Sequence, residues 1–401
     1  MLKIAVIGLG WWGKTIVDCL QESDRVRVVK GMDVDLEAVR GFAESKDLPL
    51  TDRYEDILAD PGIDAVILVT PHGAHEEQVL AAAAAGKQIF CEKPLALTAV
   101  GAKRMVDACT AKNIVLGIGH ERRFESALEE MKRMLDEGEL GTLLYLEFNA
   151  SYNLFAGKPD ARWRQDPKHA PAGTMTALGI HLTDYIQTLA GPVRELTARM
   201  SHRSDDFPNE DVLTVQFLFE SGVLGTFASM ATTPFYQRMT VFGDRGWAEV
   251  REVANVDKPN PATLTWRDMD DDIHSRTYKR IDTVTMNLHA WVDAVEGKGD
   301  YRFTPPGASS QHRNSGRNCE LDRKRQNRNH RLAAIREFIN LFRREQWHQF
   351  GNRRQWSRHF RSNERTGIGK IYTPRRTRWF RQRVRLDRLI HKASLILQQK
   401  Q

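Results

Sequence analysis

A glycine-rich turn close to the amino end constrains the fold of this chain more than any other feature. Gly8-Leu9-Gly10-Trp11-Trp12-Gly13 matches the pattern GxGxxG, between an apolar run (Lys3–Ile7) that predicts a strand and a segment (14–22) that predicts a helix. The first glycine permits a tight turn, the second lets the backbone approach a pyrophosphate, and the third packs helix on strand. Free N–H groups at the helix start favour phosphate. The turn predicts a dinucleotide site.

A carboxylate follows the second predicted strand. Asp33 lies 20 residues beyond Gly13 and directly after the apolar run Val26–Met32. A carboxylate at this position can bind a ribose 2′-hydroxyl and would repel a 2′-phosphate. The spacing therefore predicts NAD in preference to NADP.

The same glycine turn also satisfies a competing pattern. Gly8–Thr15 reads GxxxxGK[ST], the P-loop of ATPases and kinases. A P-loop protein also needs a later strand that ends in a magnesium-binding Asp, whereas the later strands here end in Thr70-Pro71 and Glu92-Lys93-Pro94. We therefore favour a dinucleotide site over a P-loop, and over a glycine turn with a purely structural role.

Strand-like and helical segments alternate over residues 1–120. This alternation is typical of a Rossmann-type α/β domain with a doubly wound parallel sheet. The predicted strands are Lys3–Ile7, Val26–Met32, Ala65–Thr70, Gln88–Cys91 and Ile114–Ile118, and the predicted helices are 14–22, 35–46, 74–86 and 99–112.

From about residue 142 the chain predicts strands without intervening helices. Such a succession indicates a mainly antiparallel sheet in an α+β domain. The predicted strands are Thr142–Asn153, Glu195–Met200, Val212–Phe219, Val223–Ala231, Arg238–Phe242 and Ala262–Trp266, followed by a helix at about 286–297. We divide the chain into a cofactor-binding domain (1–120), a substrate-binding and oligomerisation domain (121–304) and a tail (305–401).

The tail differs from the rest of the chain in charge. Residues 307–401 contain 25 Lys and Arg against 6 Asp and Glu, whereas residues 1–306 contain 34 against 46. Basic groups with interleaved tryptophans could bind nucleic acid, and a native disordered tail is an alternative. We favour a displaced reading frame, because degenerate codons for 305–320, shifted by one base, can encode an amphipathic helix. Nucleic acid is then not an expected partner.

Cysteine usage and hydropathy bear on location and metal binding. Cys19, Cys91, Cys109 and Cys319 are far apart, with no CxxC or other metal-type spacing. Such usage is typical of reduced thiols in the cytoplasm. No apolar run approaches the ~20 residues that a membrane-spanning helix needs. We therefore expect a soluble cytoplasmic protein without a metal ion or a membrane partner.

Three motifs follow the ends of predicted strands. They are Thr70-Pro71-His72-Gly73-Ala74-His75, Glu92-Lys93-Pro94 and Gly119-His120-Glu121-Arg122-Arg123-Phe124. With the glycine turn, and with Trp163–Pro167 and Gly179–Asp184 downstream, they resemble the glucose-fructose oxidoreductase/inositol dehydrogenase/MocA family over residues 1–304. The resemblance implies a C-terminal domain with a large open sheet that often forms homo-oligomers. It also implies NAD(P)-linked oxidation or reduction of sugars, cyclitols and related polyols.

The strand ends of an open α/β sheet are where its ligands bind. We expect Lys93 to take the proton of an alcohol while hydride leaves for the nicotinamide, since burial beside a positive ring lowers the pKa of a lysine. His181 would share this proton transfer. His72 and His75 either contact the cofactor or stabilise the following helix. The predicted cofactor contacts are Gly8, Gly10, Trp11, Trp12, Gly13, Asp33, Thr70, Pro71, His72, Glu92 and Lys93.

The predicted substrate contacts come from the second domain and the segment that leads into it. They are Arg123, Trp163, Arg164, His181 and Asp184. Both arginines could bind an anionic group, although we favour solvated salt bridges for them. Sugar and cyclitol dehydrogenases of the family often carry an aspartate four residues before the histidine, where this chain has Ala177. Asp184, about one helical turn beyond the histidine, could replace it.

The leading hypothesis is an oxidoreductase that transfers hydride between a nicotinamide cofactor and a sugar, cyclitol or related polyol or keto compound. One alternative is a cofactor-binding protein without redox turnover, either sensory or inactivated. Another is a sugar enzyme that uses bound NAD without net redox chemistry.

Overall fold

The computed structural model describes residues 1–153, 166, 170, 173–205, 207, 209–255 and 261–303. The predicted tail and two predicted substrate contacts, Trp163 and Arg164, lie outside these residues. The helices are α1 (Trp11–Leu20), α2 (Leu36–Ser45), α3 (Tyr54–Ala59), α4 (His75–Ala84), α5 (Ala99–Ala111), α6 (Ser126–Asp136), α7 (Ile180–Ala190) and α8 (Thr283–Val295). The strands are β1 (Leu2–Ile7), β2 (Val26–Met32), β3 (Leu50–Thr51), β4 (Ala65–Leu68), β5 (Gln88–Cys91), β6 (Leu116–Ile118), β7 (Leu143–Ser151), β8 (Val193–Ser201), β9 (Val212–Phe219), β10 (Leu224–Met230), β11 (Tyr236–Gly243), β12 (Trp247–Glu252), β13 (Ala262–Arg267) and β14 (Ile273–Tyr278).

The first sheet has the strand order β3-β2-β1-β4-β5-β6, and its pairings are parallel. This is the Rossmann order, in which the strand sequence reverses direction at β1 and β4. The predicted doubly wound parallel sheet is confirmed. β2 and β5 have the predicted bounds, whereas the strand predicted at Ala65–Thr70 ends at Leu68, which leaves Thr70 in the loop.

Two elements of this part of the chain carry too little apolar periodicity to be predicted. β3 has only 2 residues and is held by pairing with the end of β2, where Gly31 lies opposite Leu50. α3 has 6 residues, of which Ile57 is buried. Both elements depend on the neighbouring strands rather than on their own sequence pattern.

Both faces of the first sheet are covered. Successive side chains of a strand point to opposite faces. Ala5 and Ile7 therefore pack in a core that includes α4 and α5, whereas Ile4 and Val6 pack in a core with α1 and α8. The chain thus returns, after the second sheet, to complete the core of the first.

The second sheet has the strand order β14-β13-β12-β11-β7-β10-β9-β8. Its pairings are antiparallel except for β7 with β10, which is parallel. The predicted large, mainly antiparallel sheet is confirmed. Sequence reasoning does not find α6, β12 or β14; β14 is an edge strand with mostly exposed side chains and lacks apolar alternation.

Trp291 fixes α8 to the first sheet. Its side chain is fully buried, its ring lies edge-on to Phe90 with 5.7 Å between centroids, and its indole N–H donates to Val115 O (2.9 Å). A buried tryptophan of this kind contributes both apolar burial and a satisfied donor. α8 is therefore part of the amino-terminal core.

We predict that Trp291→Ala lowers the free energy of unfolding by about 3–5 kcal/mol, because it leaves a cavity between α8 and β5. Met286→Ala, on the same helix but 39% exposed, is the matched control and should change it by less than about 0.5 kcal/mol. Urea unfolding followed by tryptophan fluorescence and circular dichroism measures both. Equal midpoints for the two variants would contradict this role of α8.

Candidate active site

The ends of β4, β5 and β6 lie side by side at one edge of the first sheet. Hydrogen bonding continues past the strands, since Glu92 N–H donates to Leu68 O (2.9 Å) and Gly119 N–H donates to Cys91 O (3.1 Å). β1 ends at the same edge. The glycine turn and the strand-end motifs that the sequence predicts separately therefore meet in one region.

Each glycine of the turn occupies its position for a different structural reason. Gly8 has φ +92°, and a Cβ there would lie 2.8 Å from Val69 O. A Cβ on Gly13 would lie 1.9 Å from Gly8 O, so α1 can start close to the turn only because Gly13 lacks a side chain. A Cβ on Gly10 would meet nothing within 4 Å. Gly8 and Gly13 are needed for packing, whereas the space beside Gly10 is open.

The start of α1 is available to an anion. Gly10 is the N-cap residue and no side chain caps the helix, so its first N–H groups have no intrahelical partner. Trp11 is 39% exposed and its ring centroid lies 5.3 Å from that of Trp12. The helix start combines N–H groups that have no intrahelical partner, a positive dipole end and an exposed aromatic ring.

Asp33 lies against the glycine turn. Its Oδ2 accepts from Leu9 N–H (2.7 Å) and its Oδ1 accepts from Asp35 N–H (3.1 Å). Each carboxylate oxygen has a second lone pair. Asp33 therefore stabilises the turn, and its oxygens can still accept further hydrogen bonds at the end of β2, where a ribose is predicted.

The P-loop interpretation is wrong. Thr15 Oγ1 donates to Trp11 O (2.9 Å), and Lys14 Nζ lies over the ring of Phe42, 5.6 Å from its centroid. The two side chains that a P-loop would direct at phosphate and magnesium are therefore used within α1 and against α2. The Rossmann strand order supports the same conclusion.

The loop after β4 is held by His75. The imidazole is fully buried, with Nδ1 2.9 Å from Pro94 O and Nε2 2.9 Å from Thr70 O, so it joins the loops after β4 and β5. Burial lowers its pKa. His72 is also buried, with its ring edge-on to His75 at 5.9 Å. His75 therefore stabilises the two loops that carry predicted cofactor contacts.

Glu92 is a buried carboxyl beside Lys93. A Cβ on Gly119 would lie 2.4 Å from Glu92 Oε1, so the carboxyl occupies the space that a side chain there would fill. Burial, and then the charge of Glu121, raise the pKa of Glu92 to about 7, while Lys93 lowers it. Trp12 also favours the carboxylate, although its Nε1 has no well-formed hydrogen bond to a described residue. Glu92 can therefore exist in either protonation state near neutral pH.

His181 lies in the same charged cluster. It is 9% exposed, its ring is perpendicular to that of His120 at 5.7 Å, and its Nε2 lies 3.9 Å from Glu121 Oε1. Burial and then the positive charge of Lys93 hold the pKa of His181 well below its usual value. His181 is therefore a neutral imidazole on which the charge of Lys93 acts.

The two other described residues of the predicted substrate set bind each other. Arg123 Nε donates to Asp184 Oδ2 (2.6 Å) and Arg123 Nη2 donates to Oδ1 (2.5 Å), and both side chains are buried. A bidentate buried pair holds α7 against the loop after β6. This pair favours a structural role for both residues. It is less compatible with the predicted contact between Arg123 and an anionic group, and with Asp184 as a carboxylate that serves His181. The backbone of Ala177 is among the described residues, but its side chain is not.

Arg122 joins this loop to the second sheet. Its Nη1 donates to Glu125 Oε1 (3.0 Å) and to both carboxylate oxygens of Glu252 (2.9 Å each), and its Nη2 donates to Gln237 Oε1 (3.3 Å). All four side chains are largely buried. Sequence reasoning places Gly119, Glu121 and Arg122 in a motif that follows a strand but assigns none of them a role in the site.

The fold and the glycine turn define an NAD(P)-binding Rossmann oxidoreductase. Residues 2–120 match the family model for the oxidoreductase family with an NAD-binding Rossmann fold, and residues 128–249 match the GFO/IDH/MocA C-terminal domain. The chain therefore belongs to the GFO/IDH/MocA oxidoreductase family, as its motifs predict.

Relatives within the family include two inositol dehydrogenases. The scyllo-inositol 2-dehydrogenase (NAD(+)) of Bacillus subtilis is 30% identical over 263 residues, which are 61% of this chain and 72% of that protein. The NADP(+)-dependent enzyme of the same organism is 29% identical over 214 residues, 52% of this chain and 58% of that protein. D-apiose dehydrogenase of Paraburkholderia graminis is 29% identical over 226 residues, which are 55% of this chain and 58% of that protein. For the last two, the chain spans less than two thirds of the relative.

Solved structures agree in fold. The aldose-aldose oxidoreductase from Caulobacter crescentus, complexed with glycerol, has a TM-score of 0.67 at 23% identity, over 75% of this chain and 91% of that one. A levoglucosan dehydrogenase complexed with NADH and levoglucosan has a TM-score of 0.63 at 21% identity, and the match covers 74% of this chain and 90% of that one. At these identities the likeness concerns the fold.

The described residues contain neither a membrane-spanning helix nor a metal cluster. None of the helices there has both the length and the hydropathy needed to cross a membrane. Within the same residues, no group of three or more His, Cys, Asp or Glu side chains is arranged to hold a metal ion.

We predict that Gly10→Ala and Gly13→Ala separate ligand binding from folding. Gly13→Ala should lower the melting temperature of the protein alone, because its Cβ would overlap Gly8 O. Gly10→Ala should melt within a few degrees of the wild type but bind NAD at least tenfold more weakly, since the methyl group fills the open space beside the helix start. Thermal melts and calorimetric titration measure the two effects. Unchanged NAD affinity in Gly10→Ala would exclude the predicted pyrophosphate position.

Proposed function

We propose that this chain is an NAD-dependent oxidoreductase that transfers hydride between nicotinamide and a CH–OH group of a sugar, cyclitol or related polyol, or the corresponding keto compound. The observation that carries this proposal is the buried charged cluster at the ends of β5 and β6, where His181 Nε2 lies 3.9 Å from Glu121 Oε1 and the charge of Lys93 lowers the pKa of His181. Lys93 follows β5 and His181 lies on α7. A substrate between them would contact both proton-handling groups.

The amino-terminal residues fit a dinucleotide. The support comes from the open position at Gly10, the uncapped start of α1 and the acceptor capacity of Asp33. When bound, the nicotinamide cofactor would accept or donate the hydride. An unshielded carboxylate at the end of β2 favours a ribose hydroxyl over a ribose phosphate, so we propose NAD rather than NADP. The predicted contacts of Thr70, Pro71, His72, Glu92 and Lys93 would lie toward the nicotinamide.

The protein groups supply the proton transfer. We propose that Lys93 takes the hydroxyl proton during oxidation and returns it during reduction. His181, kept neutral by burial and by the nearby lysine, can accept a hydrogen bond from the same or a neighbouring hydroxyl. Glu92 balances the charge of Lys93 and can take up a proton near neutral pH. The pair thus handles the proton while hydride leaves the carbon.

The test combines turnover with a matched pair of lysine variants. Purified full-length protein with NAD or NADP should show nicotinamide absorbance changes over a panel of polyols and sugars, with NAD bound at least tenfold more tightly. Lys93→Met should lower kcat at least ~100-fold. Lys103→Met, at an exposed position on α5, should leave it unchanged. NAD binding without turnover on any compound would favour a cofactor-binding protein, and equal activity of the two variants would exclude Lys93.

We further propose that the outer face of the second sheet joins two copies of this chain. Side chains in register across adjacent strands form an apolar row on this face: Leu224, Tyr145, Phe242 and Trp247. Arg267 separates this row from Ile273 at the edge of the sheet. Leu224 is 54% and Ile273 is 63% exposed. An exposed apolar row of this kind is typical of a subunit interface.

We predict a dimer or larger assembly by light scattering, and a shift toward monomer in Leu224→Asp. Leu144→Asp is the matched control, because Leu144 is 53% exposed but points to the opposite face of β7. The same assembly in both variants would exclude this face as the interface.

A further inference from the structure

Glu121 is a buried carboxyl that the proposed proton transfer does not yet use. It opens the single turn Glu121–Phe124 directly after the end of β6 and is 3% exposed. Among the residues that the structure describes, the one side chain that forms an ion-pair contact within 4.0 Å of its carboxylate is His181, at 3.9 Å. Arg122, next to it in sequence, points instead to Glu125 and Glu252. A buried carboxylate needs polar partners. The charge of Lys93 and a backbone hydrogen bond favour the carboxylate form of Glu121, and the imidazole of His181 is the side chain in ion-pair contact with it.

The two nitrogens of His181 have different surroundings. Nε2 faces the Glu121 carboxylate, whereas Nδ1 is buried without a hydrogen-bond partner among the described residues. A neutral imidazole has one N–H donor and one acceptor nitrogen, and the hydrogen bond made by one nitrogen decides the role of the other. A carboxylate beside Nε2 favours the proton on Nε2 and leaves a lone pair on Nδ1.

We propose that Glu121 is the positioning residue of His181: its carboxylate orients the ring and holds the proton on Nε2, so that Nδ1 accepts the proton of a substrate hydroxyl. The 3.9 Å separation is longer than a hydrogen bond. Contacts of this kind commonly tighten when the substrate binds. The role of Nδ1 as the acceptor rests on the proposed oxidoreductase function, whereas the coupling of Glu121 to His181 does not.

The surrounding charges fix the direction of the pH effect. Glu92, Lys93, Arg122 and Arg280 act on Glu121, and Lys93, His120 and Arg122 act on His181. Glutamine at position 121 removes a negative charge from this cluster. The pKa of Glu92, which the charge of Glu121 raises, should then fall. The imidazolium form of His181 should also become less stable, so the acid limb of the pH profile of kcat/KM should move to lower pH.

The first test needs no substrate. Long-range ¹H–¹⁵N spectra of the imidazole rings, assigned for His181 by comparison with His181→Asn, distinguish the two neutral tautomers. The wild type should carry the proton on Nε2. Glu121→Gln should shift both ¹⁵N signals of His181, and Glu139→Gln, an exposed charge removal on the surface, should not. A wild-type proton on Nδ1, or identical spectra for the wild type and Glu121→Gln, would overturn the proposal.

The second test uses turnover. Glu121→Gln should lower kcat at least ~10-fold, shift the acid limb to lower pH, and leave the NAD dissociation constant within about twofold of the wild type. Glu121→Asp keeps the charge and should recover part of the loss. If the ¹⁵N signals shift but no polyol is oxidised by the wild type, the coupling stands and the proposed function fails. If the wild type is active and Glu121→Gln matches it in kcat and pH profile, the positioning role fails.

Discussion

The architecture depends on one backbone contact, the approach of Gly13 to the carbonyl of Gly8. A Cβ on Gly13 would fall 1.9 Å from Gly8 O and push α1 away from the end of β1, whereas a Cβ on Gly8 would fall 2.8 Å from Val69 O in the loop after β4. With both glycines in place, the helix starts directly after the strand end, and its first N–H groups have no intrahelical partner. Asp33 then binds the same turn through Leu9 and links it to β2. The dinucleotide region is therefore set by backbone geometry rather than by any reactive side chain.

In the cluster around Lys93 and His181, burial and neighbouring charges have opposite effects on the pKa of the carboxyl groups. Two carboxyls, Glu92 and Glu121, lie beside one ammonium group, and burial raises the pKa of each carboxyl. Burial lowers the pKa of His120 to about 4 and also lowers that of His181, so both rings are neutral. Glu92, with a pKa of about 7, is the group of this cluster that can gain or lose a proton near neutral pH. Such a cluster suits reversible proton exchange with an alcohol.

Most of the amino-terminal fold could be predicted from the sequence because its signals are local. The glycine turn, the strand–helix alternation and Asp33 each lie within a short stretch, and the Rossmann sheet is the arrangement that satisfies them. The short elements β3 and α3 could not be predicted, since they are stabilised by neighbouring strands. In the second sheet, β14 escaped prediction because an exposed edge strand has no alternating apolar face.

The sequence predicts which residues belong to the candidate site, but not which of their side chains contact each other. Lys93 and His181 were found from motifs, yet no sequence pattern indicates that Arg123 binds Asp184 or that Glu121 faces His181. These contacts join residues about 60 positions apart, and they depend on the packing of α7 against the loop after β6. The predicted substrate roles of Arg123 and Asp184 rest on residue type and motif position, and a bidentate buried pair uses the same groups for structure.

The return of the chain to its first sheet has a consequence for biosynthesis. Trp291, Tyr301 and Phe303 complete the amino-terminal core, while Phe303 also packs on Arg123 and lies near His120. A ribosome must therefore finish the whole second sheet before the nucleotide-binding half can close. Domains that fold in order of synthesis would normally secure the amino end first. Here the nascent amino-terminal half stays incomplete for more than 150 further residues, which exposes it to proteases and makes chaperone protection valuable.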